Sequence, residues 1–175
     1  MLIIRNSLPD DITAITAIYT HHVLHGTGTF EIDPPSCDDM MGRRADVIGK
    51  GLPYLVAAED EHILGFAYCN WFKPRPAYRF SAEDSIYLAP EALGRGLGRS
   101  LLSELMHRAE EAGVRKLIAV IGDSANQGSI GVHQSVGFTH AGLLRSCGWK
   151  FDRWLDVVLM DKALGVGDSS APDSK

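Results

Sequence analysis

Residues 85–109 contain the pattern that most restricts the fold of this chain: a short apolar strand, a turn with three glycines in five residues, and a long amphipathic helix. The glycines are Gly94, Gly96 and Gly98. Glycine lets the backbone take positive φ and lets a ligand approach closely. Because the first turn of a helix offers unpaired N–H groups and a partial positive charge, this segment predicts a site for a phosphate or pyrophosphate, with Arg95 and Arg99 as additional charges at its rim.

Two common nucleotide-binding motifs fit this segment poorly. A P-loop requires a lysine after its last glycine, whereas Arg99 follows Gly98 here. A dinucleotide fingerprint would require glycine at position 99. A glycine turn that serves only the tight packing of a helix on a strand remains an open alternative, since such short motifs often occur without a ligand.

The rest of the chain alternates between strand and helix patterns, with both hairpin and crossover connections, which predicts an α/β fold with a mixed sheet. The length of 175 residues suits one domain, over residues 1–164, followed by a polar flexible tail over 165–175. Helices are predicted over 9–22, 36–50, 97–112 and 126–136, and strands over 2–5, 54–58, 62–71, 84–88, 116–121, 138–144 and 149–160.

Composition excludes several classes of protein. The 17 Lys and Arg against 22 Asp and Glu, with no basic run, argue against nucleic acid as the main partner. No apolar stretch approaches the roughly 18 residues of a membrane span, and the N-terminus lacks the form of a secretory signal. The cysteines are odd in number and far apart, which favours reduced thiols and a cytoplasmic location over a disulfide framework; they are Cys37, Cys69 and Cys147.

A second motif runs from Asn126 to Phe138 and places Asn126, Ser129 and His133 on one face of a predicted helix. Together the two motifs resemble the GNAT superfamily of N-acetyltransferases. The patterns of that superfamily are Gln/Arg-x-x-Gly-x-Gly/Ala after a strand and Asn-x-x-Ser-x-x-x-His/Tyr-x-x-x-Gly-Phe. Leu93 departs from the usual Gln or Arg, which matters modestly because the loop holds pyrophosphate mainly through main-chain N–H groups.

Over residues 1–162 the sequence is similar, more specifically, to phosphinothricin N-acetyltransferases and to the related methionine sulfoximine or sulfone acetyltransferases. The matching pieces are residues 28–30, 71–78, 83–87, 119–122 and 148–157. This resemblance implies acetylation of the α-amino group of a small toxic amino-acid analogue, and hence detoxification or resistance. It also implies a homodimer whose site lies near the interface, and no metal.

The resemblance further implies a mixed, mostly antiparallel central sheet flanked by helices, with acetyl-CoA in the splay between central strands. In such a fold the strand before the glycine turn pairs with the pantetheine arm through its backbone. The residues expected to bind acetyl-CoA are Ser85, Ile86, Tyr87, Leu93, Gly94, Arg95, Gly96, Leu97, Gly98, Arg99, Asn126, Ser129 and His133.

Acetyl transfer to an amine requires a base, because an α-amino group with a pKa of about 8 is mostly protonated at neutral pH. Glu83 is the predicted base, acting directly or through one water, and burial or a neighbour must raise its pKa for that role. Tyr87 and His133 are alternative proton donors to the leaving thiolate. An ordinary exposed glutamate at a strand entrance and a helix histidine that packs locally are the simpler interpretations of Glu83 and His133.

The acceptor site is predicted around a proline-broken loop that carries Lys73, Arg75, Ala77 and Tyr78. An arginine fork and a lysine suit a substrate with a carboxylate and a second polar head. Glu83, Phe30 and Trp154 are expected to complete the cavity, although a solvated loop and aromatic core residues would give the same pattern. Two other functions stay open: acetylation of another amine or a peptide N-terminus, and CoA binding without turnover.

Two further groups of residues are predicted to form neither a metal site nor a nucleophile. His21, His22 and His25 resemble a metal cluster, but no acidic or cysteine partner stands at suggestive spacing. Cys147 has no activating partner that would make it a nucleophile.

Overall fold

Residues 1–172 are described by the computed structural model, in which four helices pack on one seven-stranded sheet. The helices are α1 (Ile12–His25), α2 (Cys37–Gly49), α3 (Leu97–Glu111) and α4 (Gln127–Ser135). The strands are β1 (Leu2–Asn6), β2 (Tyr54–Glu59), β3 (His62–Trp71), β4 (Ser81–Leu88), β5 (Lys116–Gly122), β6 (Thr139–Lys150) and β7 (Arg153–Ala163).

The sheet has the order β1-β2-β3-β4-β5-β7-β6, and β4–β5 is its one parallel pair. The prediction of a mixed, mostly antiparallel sheet flanked by helices is therefore confirmed. The parallel pair requires a crossover, and α3 provides it. The antiparallel pairs β2–β3, β3–β4 and β6–β7 are each joined by a turn or a short loop, whereas α1 and α2 lie in the chain between β1 and β2.

Local sequence signals account for where α2 and α3 begin and end. The Ser36 hydroxyl accepts a hydrogen bond from the Asp39 N–H, and the Asp39 carboxylate accepts one from the Ser36 N–H, which forms a capping box at the start of α2. Gly96, with φ of 78°, precedes α3, and Gly113, with φ of 90°, follows it.

The two faces of the sheet are covered by different helices. Tyr19 of α1 packs edge-on against Tyr87 of β4, with ring centroids 4.9 Å apart. On the opposite face, Gly98 of α3 lies against Leu88, and His133 of α4 bonds to Asp84. Because successive strand residues point to opposite faces, α1 and α2 cover the face that carries Tyr87, while α3 and α4 cover the face that carries Leu88 and Asp84.

The predicted boundary between the last two strands, 138–144 and 149–160, is wrong. Residues 145–148 do not separate two strands: β6 continues through a bulge between Leu144 and Gly148 and ends at Lys150. The chain then reverses at Phe151 and Asp152, with φ of 52° and 54°. A two-residue turn of this kind usually contains glycine, so the sequence at Phe151 and Asp152 did not indicate a turn. The sequence at the bulge did indicate a break between strands. Smaller differences are that α1 extends to His25 and that β4 begins at Ser81.

The central strands β4 and β5 separate soon after they pair. Their register runs only from Ser81 opposite Lys116 to Asp84 opposite Ala119. Beyond this point, within residues 1–172, β5 is paired with β7 alone, and β4 is paired with β3 alone. A V-shaped gap therefore opens between residues 85–88 and the end of β5, close to the start of α3.

The chain after β7 turns back towards the start of β5. The Leu164 N–H donates to the Arg115 carbonyl, and the Arg115 guanidinium donates to the Gly167 carbonyl. The predicted domain boundary at residue 164 stays a prediction, and residues 173–175 of the predicted tail lie outside the described residues. No helix in the described part of the chain has the length and apolarity needed to cross a membrane.

Candidate active site

The gap between β4 and β5 presents unpaired backbone groups. The Ala89 N–H donates to the Leu64 carbonyl of β3, whereas the Phe80 carbonyl accepts hydrogen bonds from the N–H groups of Arg115 and Lys116 at the start of β5. Since alternate residues of a strand direct their N–H and C=O to opposite neighbours, Ile86 directs both groups into the gap. An extended molecule that carries amide groups could pair with this edge as a further strand would.

The glycine turn lies at one end of this gap. Gly94 and Gly96 have φ of 73° and 78°, and a Cβ built on either residue would meet no atom within 4 Å. A Cβ on Gly98 would lie 3.2 Å from Val132 of α4, so this glycine allows α3 to approach α4 closely. The first N–H groups of α3 have no carbonyl partner within the helix, which makes the turn suited to an anion.

The side chains around the turn differ from the expected basic rim. The Arg95 guanidinium donates to the Glu59 carboxylate at 2.9 Å, so its charge is already paired. In the described residues Arg99 has no ion-pair partner and remains available to a ligand. The Leu93 N–H donates to the Pro90 carbonyl at 3.3 Å, although the sequence had suggested that this N–H would face the anion.

Glu83 is half-buried on the face covered by α1 and α2. Burial raises the pKa of its carboxyl group, and the neighbouring charge of Asp84 raises this pKa further, while the charge of Lys73 opposes both. A raised pKa is what a carboxylate requires to act as a general base for an amine. Lys73, on the loop that joins β3 to β4, is therefore close enough for its charge to act on Glu83.

A cavity of about 430 Å³ lies between α2 and β3, on the same face of the sheet as Glu83. Asn70, which lies opposite Glu83 in the β3–β4 register, is part of its wall, and so is Tyr68, which lies opposite Ser85. The complete lining is Gly42, Arg43, Asp46, Val47, Tyr68 and Asn70. None of these six residues was predicted from the sequence, because neither spacing nor composition distinguishes them from ordinary helix and strand residues.

One wall of the cavity is held by a hydrogen-bonded network. Arg43 donates to both oxygens of Glu31, at 2.6 and 3.2 Å. The Tyr19 hydroxyl donates to Glu31 at 2.9 Å and lies 2.9 Å from the hydroxyl of Thr29. Burial raises the pKa of Tyr19 to about 12, so its hydroxyl stays protonated and keeps this donor role at neutral pH.

Tyr87 has its ring enclosed by aromatic neighbours at the edge of the gap. The ring centroid lies 4.9 Å from that of Tyr19 and 5.3 Å from that of Phe66. Burial, followed by the charges of Tyr19 and Tyr68, holds the pKa of Tyr87 well above 10. The hydroxyl of Tyr87 is thus a hydrogen-bond donor throughout the neutral range, and Tyr87 stays a candidate for stabilising a thiolate.

His133 occupies a different environment from the one expected for a proton donor to a thiolate. Its Nδ1 lies 2.8 Å from the Ser129 carbonyl and its Nε2 lies 2.8 Å from the Asp84 carboxylate. The side chains of His133 and Asp84 are only 2% and 1% exposed. Because both ring nitrogens are already bonded, this geometry does not support the predicted acid role, and the alternative of a locally packed histidine describes His133 better.

The charge state of this buried pair follows from its partners. Nδ1 must carry a hydrogen, because the Ser129 carbonyl can only accept. Burial by itself lowers the pKa of His133, but the hydrogen bond and charge of Asp84, together with the Ser129 carbonyl, outweigh burial and raise it. The second oxygen of Asp84, Oδ1, is buried and has no partner in the described residues, so His133 is the main compensation for this carboxylate.

The remaining α4 residues predicted to bind acetyl-CoA have roles within the fold. The Asn126 side chain accepts a hydrogen bond from the Ser129 N–H and donates one to the Gly122 carbonyl, so it caps α4 and ties it to the end of β5. The Ser129 carbonyl is the partner of His133. Binding of a ligand by Asn126 or Ser129 stays a prediction.

The other predicted acceptor residues are divided between two places. Arg75, Ala77 and Tyr78 are exposed on the β3–β4 loop, in line with a solvated loop near Glu83. The Phe30 ring packs against Gly122 and Gly148 at the end of the gap. Trp154 is 61% exposed and pairs with Trp149 across the β6–β7 hairpin, so a single copy of the chain does not bring it into the cavity between α2 and β3.

The histidines of α1 interact with one another. The ring centroid of His21 lies 5.6 Å from that of His22 and 5.0 Å from that of His25. The His22 Nε2 donates to the Leu88 carbonyl at 2.8 Å, which places His22 beside the gap. Among the described residues no three His, Cys, Asp or Glu side chains are arranged to hold a metal ion, and all three cysteines are free.

Comparisons with known proteins agree with one another. Residues 12–138 match the family model described as the acetyltransferase (GNAT) family. The chain is 52% identical to a phosphinothricin N-acetyltransferase of Alcaligenes faecalis, over 94% of this chain and 83% of the relative. It is 35% identical to an L-methionine sulfoximine/L-methionine sulfone acetyltransferase of Salmonella typhimurium, over 94% of each chain.

A solved structure shares the whole architecture. It is a GNAT superfamily phosphinothricin acetyltransferase from Sinorhizobium meliloti in complex with AcCoA, with a TM-score of 0.95 and 43% identity. The match covers 98% of this chain and 93% of that one.

Proposed function

The chain belongs to the GNAT acetyltransferase family, and from that premise we propose that it transfers the acetyl group of acetyl-CoA to the α-amino group of a small amino-acid analogue. Phosphinothricin, methionine sulfoximine and methionine sulfone are the proposed acceptors, since the relatives named for them match over nearly the whole chain. Detoxification of such analogues in a reducing, cytoplasmic compartment is the proposed role, and the free cysteines support it.

One observation carries the proposal: the gap between β4 and β5 has the glycine turn at one end, and Glu83 and the cavity lie on one face. In the proposed complex the N–H groups at the start of α3 bind the pyrophosphate of acetyl-CoA, with Arg99 beside it. The unpaired N–H and C=O of Ile86 pair with the amides of the pantetheine arm. The acceptor lies in the cavity, with its amine towards Glu83.

The proposed chemistry needs no covalent enzyme intermediate. The Glu83 carboxylate removes a proton from the acceptor ammonium, directly or through one water, and frees the nitrogen lone pair. The nitrogen then attacks the thioester carbonyl carbon, the new C–N bond forms, and the C–S bond breaks. The thiolate leaves with a hydrogen bond from Tyr87, and the attacking nitrogen loses its second proton, which ends on the thiolate, so the products are the N-acetyl amino acid and CoA.

The test is a thiol-release assay with acetyl-CoA and each of the three acceptors. We expect acetylation of at least one acceptor and a product acetylated on the α-nitrogen by mass spectrometry. If none of the three releases thiol, the proposed acceptor class is wrong. Acetylation of a peptide N-terminus or a polyamine in the same assay would favour the alternative function, in which another amine is the acceptor. The cationic Lys73 and Arg75 disfavour a polycation as that acceptor.

The glycine turn gives a prediction about acetyl-CoA alone. Gly96→Ala forces a Cβ into left-handed backbone and shifts the N–H groups before α3, so we expect the KM for acetyl-CoA to rise by about tenfold, with a stability cost of about 1–2 kcal/mol. Gly51→Ala is the matched control, because Gly51 has φ of 72°, open space around it, and a position far from the turn. Equal KM values for acetyl-CoA in the two variants would contradict the assigned pyrophosphate site.

We propose in addition that two copies of the chain associate through an exposed apolar patch. This patch surrounds the β6–β7 hairpin and the end of α1, and its residues are Leu24, Ile32, Leu143, Leu144, Trp149, Phe151 and Trp154. Exposed apolar side chains on an edge strand favour association in water.

The patch gives a prediction about assembly. Trp154→Glu places a charge in the patch, beside Trp149, so we expect a shift from dimer to monomer in sedimentation velocity. Val166→Glu is the control, since Val166 is 56% exposed on the turn after β7, away from the patch. A monomeric unaltered protein, or a dimer that both variants retain, would exclude this interface.

A further inference from the structure

Lys150, at the end of β6, is a buried cation that the proposed chemistry does not use. It is 5% exposed, and its ammonium group donates to the carbonyls of Gly26 and Thr29, each at 2.8 Å. The ring of Phe151 covers it, with the centroid 5.0 Å from Nζ. Burial lowers the pKa of Lys150, and the charge of Glu31 opposes this shift.

The burial of this lysine is not compensated by an ion pair. Among residues 1–172 no carboxylate lies within ion-pair distance of its Nζ, and lysine is rarely buried without such a partner. Its partners are two carbonyls of a single loop, residues 26–31, which joins α1 to the segment before α2. The ammonium therefore fixes this loop to β6.

The sheet is shaped to receive the same loop. A Cβ on Gly122, the last residue of β5, would collide with the Thr27 carbonyl, and a Cβ on Gly148 would collide with the Phe30 ring. The loop thus lies directly on the backbone of β5 and β6. Two glycines and one buried lysine together determine where it can lie.

The loop in turn holds a wall of the acceptor cavity. The Thr29 hydroxyl lies 2.9 Å from the Tyr19 hydroxyl, and Tyr19 donates to Glu31. Glu31 accepts two hydrogen bonds from Arg43, and Arg43 lines the cavity. A continuous set of hydrogen bonds therefore connects Lys150 to the cavity through Thr29, Tyr19 and Glu31.

We propose that Lys150 is a positioning residue for the acceptor: it fixes the 26–31 loop so that Glu31 holds Arg43 in the cavity wall. This inference rests on the proposed function, in which the cavity receives the amino-acid acceptor. The glycine turn is not part of the network. Loss of Lys150 therefore affects acceptor binding and leaves acetyl-CoA binding unchanged.

The test compares Lys150→Met with Lys116→Met in steady-state kinetics. Methionine keeps the length of the side chain but cannot donate to the two carbonyls. We expect the KM for the acceptor to rise at least tenfold in Lys150→Met, with the KM for acetyl-CoA within twofold, and partial recovery of the acceptor KM in Lys150→Arg. Lys116→Met removes a surface ion pair with Asp161 and should change neither KM.

Amide hydrogen exchange on the unliganded protein gives a readout that does not depend on turnover. In Lys150→Met we expect exchange of residues 26–31 to become at least tenfold faster, while α3 keeps its protection. If Lys150→Met does not fold, Thr29→Val tests the same connection, because it breaks the contact with Tyr19 and leaves Lys150 in place; we then expect a threefold or greater rise in the acceptor KM alone.

The outcomes separate this inference from the proposed function. An unchanged acceptor KM, or an equal rise of both KM values with faster exchange throughout the chain, would overturn the positioning role. If the unaltered protein acetylates none of the proposed acceptors, the proposed function fails. Hydrogen exchange then still decides whether Lys150 fixes the loop.

Discussion

Replacing Glu83 by glutamine is expected to lower kcat by about 100- to 10,000-fold and to leave the affinity for acetyl-CoA unchanged, which is the range that general-base catalysis contributes. Glutamine keeps the size and hydrogen-bonding capacity of the side chain, but it cannot take a proton from the acceptor ammonium. Glu61→Gln, on the exposed turn between β2 and β3, is the matched control and should retain full activity. The measurements are initial rates at saturating substrates and a binding titration with acetyl-CoA.

The pH dependence gives the same hypothesis a second test. Burial and Asp84 raise the pKa of Glu83, and the active form is the carboxylate. The kcat/KM of the unaltered enzyme should therefore fall as pH decreases through this raised pKa, at a pH above the usual glutamate value of about 4.3. The acidic limb should disappear in Glu83→Gln. Substantial activity in Glu83→Gln with the limb intact would remove Glu83 from the mechanism and leave another base to be found.

Truncation of Asp84 is expected to have the largest effect on stability. Asp84→Ala leaves the buried ring of His133 without its partner, and removal of one member of a buried pair costs about 3–5 kcal/mol of unfolding free energy. Asp161→Ala is the matched control, since it breaks a partly exposed pair with Lys116 and should cost about 0–1 kcal/mol. Urea denaturation of the three proteins measures both values.

The sign of the pH dependence distinguishes an ion pair from lost packing. The folded-state pKa of His133 is raised, so the pair stabilises the fold fully below the unfolded value of about 6.5 and loses this contribution as pH rises through the folded pKa. The difference between the unaltered protein and Asp84→Ala should therefore be largest below a pH of about 6.5 and should decrease as pH rises through the raised folded-state pKa. A difference that does not vary with pH would indicate that lost packing, and not charge, explains the effect.

The parts of the site that are close together in the chain were predictable. The glycine turn before α3 and the capping box of α2 depend on residues within a few positions of each other. Glu83 was placed beside Lys73 because both belong to one short segment. The wall of the acceptor cavity was not predictable, because Arg43 reads as one more charge on an amphipathic helix until α2 is packed over β3.

His133 shows the same limit of sequence-based prediction, here for a residue that the sequence did single out. Its motif suggested a residue that faces the thioester, yet its ring is bonded to Asp84, 49 positions away in the chain. Whether a helix histidine faces a ligand or a buried carboxylate depends on how the helix is rotated against the sheet. That rotation is set by packing, as in the contact of Val132 with Gly98.

The sequence by itself determined the family and the class of sheet, and it located the glycine turn and Glu83, which we propose as the anion site and the base, because each depends on a local pattern of residue types. Only the tertiary structure decided that Lys150 holds a loop more than 100 positions away, that the β6–β7 turn falls at Phe151, and that His133 is buried with Asp84. The physical reason is that local backbone preference acts over a few residues. The partners of a buried cation or of an ion pair, and the position of a strained turn, depend instead on the order of the strands and the packing of the helices.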